Sequence, residues 1–176
     1  MTTNARMTRR RLGMAGVSQD RRSTLCAVTV ESIRLRLLLV APLRLVLSIV
    51  FLAAARAAGG ATGATLLAFA AGAFAMAFLV PNDPRARFRG AQGEPEELPA
   101  DARVAPAWLH ALHAALPSTV GVSLLATVTL PFQPTLTALL AGILAGLGLA
   151  AAFGAYAIDG RLYVNPHGGE LFRKAA

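Results

Sequence analysis

Four apolar stretches dominate the chain. Residues 37–55, 64–81, 118–132 and 135–158 contain one charged side chain between them, Arg44. Segments such as "TLLAFAAGAFAMAFLVP" and "LTALLAGILAGLGLAAAFGAYAI" show no polar face at helical spacing, which the surface helix of a water-soluble bundle requires. Each stretch is long enough, or nearly so, to cross about 30 Å of hydrocarbon as a helix. The pattern predicts an all-α, polytopic membrane protein with four transmembrane helices in two hairpins, at residues 37–57, 63–81, 108–131 and 135–158.

Breakers punctuate these spans. Pro42 suits a first helical turn, Pro81 and "NDP" end the second span, and Pro106 opens the third. "LPFQP" makes a tight turn between the third and fourth spans, and "DG" at 159–160 ends the fourth. The expected organisation is a basic, disordered tail over residues 1–32 and a four-helix bundle over 33–158. A linker over 82–107 joins the two hairpins, and a short tail over 159–176 ends the chain.

Composition agrees with this picture. Of the 176 residues, 55% are hydrophobic and only 15% charged, against about 25% charged in a soluble domain. The net charge of +8 does not point to nucleic acid, because the basic residues flank the apolar spans instead of forming one aromatic-laced patch. Eight arginines precede the first span, and Arg85, Arg87, Arg89 and Arg103 lie in the linker. Arg161, Arg173 and Lys174 lie in the tail, whereas "RAAGGATG" carries only Arg56 and "PFQP" carries none. Basic-rich and basic-poor segments alternate. The positive-inside rule therefore predicts a multi-pass protein of the cytoplasmic membrane with both termini and the linker cytoplasmic.

The N-terminal segment suggests no processing. "TRRRLG" lacks the apolar run that follows a twin-arginine signal, Leu25 before Cys26 argues against lipidation, and "ARA" at 55–57 follows an apolar stretch that reads as an uncleaved anchor. Cys26 is the single cysteine, so no intramolecular disulfide forms.

Ala138, Gly142, Gly146, Ala150 and Gly154 form a small-residue ladder on the fourth span, and Ala64, Ala68 and Gly72 a weaker one on the second. Such ladders let helix backbones approach in lipid, where apolar association gains nothing. The expectation is intramolecular packing, with a homo-oligomer face as the alternative. Arg36, Arg44, Arg56 and Trp108 read as membrane-depth anchors. Arg44 is expected to snorkel toward the inner headgroups, within reach of Asp83 or Asp159.

Chemistry is sparse. No span carries Asp or Glu for a proton relay, and there is no glycine-rich phosphate loop, GxSxG elbow or zinc-protease motif. His110 and His113 share a helix face, and His167 and Asp159 lie on the same side, a combination that can complete a metal shell. Beside Trp108, however, the HxxH pair reads as interfacial. Ser118 and Thr119 follow Pro117 and can satisfy the carbonyls it frees, or line a polar track with Ser123, Thr127 and Thr129. Arg85, Arg87 and Arg89 suit anionic headgroups.

The sequence thus leads to a non-enzymatic, cofactor-free structural or accessory protein acting through helix packing and cytoplasmic segments. Its expected partners are the lipid bilayer and a membrane protein or a second copy, not nucleic acid. A small oligomeric transporter or channel subunit is the second reading, and a metal-dependent membrane enzyme the third.

Overall fold

The computed structural model describes residues 30–79, 95–105, 107–165 and 170–175. Within them lie four helices, α1 (Ile33–Ala57), α2 (Thr62–Leu79), α3 (Ala107–Thr129) and α4 (Pro134–Ala157). Four short strands accompany them, β1 (Glu31–Ser32), β2 (Glu96–Glu97), β3 (Leu162–Val164) and β4 (Leu171–Arg173). The protein is mostly helical, and α1, α2 and α4 are each long and apolar enough to cross a membrane. In α3 the apolar section is shorter, Ala115–Thr129.

Tight turns make the hairpins. After α1, Gly59 adopts φ +87°, a left-handed conformation that glycine takes without steric cost. That turn lets the N–H groups of Ala58 and Gly60 bond to the carbonyls of Ala54 and Ala55. Between α3 and α4, Pro134 opens the new helix at its first turn, where a missing N–H costs nothing.

The central helix is α4. It packs against α1, α2 and α3, whereas α2 meets little besides α4. Small residues decide this arrangement. Gly142 on α4 faces the backbone of Phe69 and Ala73, Gly146 faces Ala73 and Met76, and Gly72 on α2 faces Leu139, Gly142 and Ile143 in return. A Cβ on any of the three would collide with backbone of the other helix. Gly142 and Gly146 of the ladder therefore pack within the chain, with Gly72 as their counterpart on α2. Toward α1, Gly148 meets Ala41 and Leu45 instead. Ala151, Ala155 and Ile158 share a core with Ile33, Leu37 and Ala41 there.

Short strands add to the mostly helical architecture. They form one sheet in the order β1-β3-β4-β2, with β1/β3 and β3/β4 antiparallel and β2/β4 parallel. Val30 also bridges Val104, its N–H bonding to Arg103 O and its carbonyl accepting from Ala105 N. Residues 96–105 of the linker thus flank the sheet on both edges. Val164 and Leu171 join the α1/α4 core, so the sheet is seated on one end of the bundle. Residues 30–32, assigned to a disordered tail by composition, belong to this ordered cap. Strands of two or three residues are too short to stand alone. They persist because Phe172 (1% exposed) and Val30 (2%) are buried with them.

Candidate functional site

Arg44, the one charge within the four apolar stretches, is held by hydroxyls on α3 and a backbone carbonyl on α4. Arg44 has 11 residues of α1 before it and 13 after it, and its side chain is turned across the bundle. Nε donates to Thr119 Oγ1 at 3.1 Å and Nη2 to Ser118 Oγ at 2.9 Å, both on α3. Nη1 approaches the carbonyl of Leu147 on α4 at 3.5 Å. A planar guanidinium presents donors in several directions at once, so one side chain ties α1 to both neighbours. Gly148 leaves the room: a Cβ there would lie 3.3 Å from Arg44 Cβ.

Arg44 turns across the bundle to Ser118, which lies 11 residues into α3 and near the start of its apolar section. Asp159, one of its expected partners, is engaged elsewhere, accepting from Arg173 Nη2 at 2.9 Å and from the Arg161 N–H at 3.1 Å. Those bonds, the Arg173 guanidinium first, hold the Asp159 carboxyl below the usual carboxylate range. Asp83 lies outside the described residues.

The hydroxyls do not form one continuous track. Ser118 Oγ accepts from Arg44 and donates to Ala115 O at 3.3 Å, and not to the carbonyl of residue 113 that Pro117 frees. Thr119 is buried at the Arg44 contact, while Thr127 is exposed and bonds back to Ser123 O. Between them Ser123 Oγ is buried without a hydrogen-bond partner among the described residues. At the far end of the same hairpin, Thr129 and Thr137 join their hydroxyls at 3.0 Å, and fully buried Thr137 lies 3.4 Å from Ala126 O. The sequence reading missed this latch, although threonines on either side of a proline-rich turn were its visible signal.

The remaining anchors take different places. Arg56 is exposed in the last turn of α1 and Trp108 is 55% exposed in the first turn of α3. Arg36 is half-buried, 3.9 Å from the buried carboxylate of Glu31 at the sheet. Of the candidate metal ligands, His113 is exposed, Asp159 is in its ion pair, and His167 and the His110 side chain lie outside the described residues. Among the described residues no three metal-binding side chains cluster.

Fold and site together define a class: a small helical protein with three helices long and apolar enough to cross a membrane, and an arginine on α1 that binds α3 and α4. A comparison with protein-family models, curated proteins and solved structures found no match to this chain.

Proposed function

We propose that the protein is a four-span integral protein of the cytoplasmic membrane, with both termini and the linker cytoplasmic, acting without catalysis as a structural or accessory subunit. The sheet is the observation that supports this best. It joins residues from the N-terminal segment, the linker and the tail at one end of the bundle, and these are the three basic-rich parts of the chain. In this reading α3 also crosses the membrane, as the third of four spans, its 23 residues reaching about 34 Å at 1.5 Å per residue. Function resides in the packed helices and in the cap, which offers partners an ordered surface.

The test is purification of the full chain from native membranes in a mild detergent. A membrane protein recovered in fixed ratio, and lost when the cap is disrupted by Phe172→Asp at equal expression, supports the accessory role. The second reading, a small oligomeric transporter or channel subunit, draws on Arg44, since an ionisable side chain inside apolar helices marks functional pathways in many membrane proteins. Solute flux through liposomes carrying this chain alone, abolished by Arg44→Lys, would put that reading first.

A further inference from the structure

Three cationic side chains stand abreast where the helices meet the sheet. β1 and β3 pair with Ser32 opposite Tyr163, and the chain enters α1 one residue later, so Arg34 in the first helical turn lies close to the turn that precedes β3. β3 and β4 pair with Leu162 opposite Arg173, and the Lys174 N–H bonds to Arg161 O at 3.0 Å, which sets Lys174 level with Arg161 from the other side. Arg34 bends over the same turn, where a Cβ on Gly160 would lie 3.5 Å from its Nη1. All three residues are exposed.

Like charges facing one another across a ladder are destabilising unless something offsets them. The nearby carboxylate, Asp159, is held by Arg173 and the Arg161 N–H, and it offsets only the Arg161 part of the row's charge. Among the described residues no ion pair joins Arg34, Arg161 or Lys174 to a carboxylate. The row therefore favours an anion from outside the chain.

Its position says which anion. Arg34 lies in the first turn of α1, and Arg161 follows shortly after the end of α4, so the row marks the level at which the apolar helices stop. Apolar surface adjoins it on the helix side: Leu38, one turn along α1 from Arg34, is 48% exposed, and Tyr156, one turn before Gly160, is 90% exposed. Cations at the edge of an apolar helical surface match a ligand with a phosphate joined to acyl chains.

We propose that Arg34, Arg161 and Lys174 form a binding site for the phosphate headgroup of an anionic phospholipid of the inner leaflet. This rests on the four-span reading above.

The experiment uses the full chain purified in neutral detergent, with thermal unfolding followed as phosphatidylglycerol, phosphatidylcholine or inorganic phosphate is added. Phosphatidylglycerol should raise the Tm, and the other two should not. In R34Q/R161Q/K174Q its affinity should fall about a hundredfold, from about fivefold for each lost charge, while R103Q should respond as the wild type does. Should the triple variant fail to fold, the wild type suffices, because its lipid response must weaken at raised salt. An unchanged response in the triple variant, a salt-insensitive response, or one matched by inorganic phosphate overturns the headgroup site. Carbonate washing of the membranes separates the two claims. A wild-type protein that stays in washed membranes but ignores phosphatidylglycerol sinks the site alone, whereas release by carbonate sinks the four-span reading.

Discussion

Helices α2 and α4 are built from nearly the same material and live in different surroundings. Both are rich in alanine and glycine, yet 56% of the apolar window of α4 is enclosed in the bundle and only 11% of that of α2. The difference lies in where the small residues fall. On α4 they occupy two faces, one turned to α2 through Gly142 and Gly146 and one to α1 through Gly148, Ala151 and Ala155. On α2, Thr65 and Gly72 are buried, and Leu67, Phe74 and Phe78 point outward. A helix with one small-residue contact becomes a wing, and a helix with two becomes an axis.

The largest effect should come from breaking that contact. Gly142→Leu drives a side chain into the Phe69 carbonyl, and overpacking of this kind costs about 3 kcal/mol or more when backbone must move. Gly121→Ala on α3, where a Cβ meets nothing within 4 Å, should leave detergent melting unchanged. Phe78→Leu on the outer face of α2 should cost no more than its ring contact with Phe74, about 1 kcal/mol, since Phe78 is 73% exposed. A large loss at Phe78 would show that the wing is covered by a partner.

Arg44 comes next, because it binds both neighbours of α1. Arg44→Leu leaves Thr119 buried without its donor, at a cost of about 1–3 kcal/mol. Arg44→Lys should recover little of this, as a point charge cannot reach α3 and α4 with the same fork. Equal stability of Arg44→Lys and wild type in a detergent melt would mean that charge alone matters there.

Thr137→Val should cost less, about 1 kcal/mol, by removing one interhelical hydrogen bond at the far end of α3 and α4. The loss should shrink when Thr129→Val is already present, leaving the weaker bond to Ala126 O, which a double-mutant cycle would read.

The smallest effect concerns pH. The Asp159 carboxyl titrates below its ordinary range in the folded chain, so the unfolded chain binds the proton first. Its contribution is therefore present above about pH 4 and is lost as pH falls through the lower folded value. Asp159→Asn should flatten that acid limb of a melting series, while an unchanged slope would assign the limb to other carboxylates.

The helices were legible because their signal is long and uninterrupted, and the α4 ladder because Gly142 and Gly146 repeat every four residues. The sheet was not legible, since strands such as Glu31–Ser32 and Glu96–Glu97 carry no alternation. Their pairing is set by Val30, Val164, Leu171 and Phe172 meeting over the end of the bundle, a tertiary fact. Arg44 was visible as an anomaly, but Ser118 and Thr119 became its partners only once α3 was packed against α1. In isolation, a proline followed by Ser-Thr reads as local carbonyl repair.

The central claim is that the helices cross a membrane with the sheet on the cytoplasmic side. Replacing Cys26 with serine and placing single cysteines at Glu97, Gln133 and Ala175 tests it directly in intact cells. Glu97 lies in the sheet, Ala175 follows β4, and Gln133 sits in the turn at the opposite end, and all three are exposed. An impermeant thiol reagent should label Gln133→Cys and spare Glu97→Cys and Ala175→Cys until the cells are opened. Labelling of Glu97→Cys or Ala175→Cys from outside, with Gln133→Cys protected, would contradict the account.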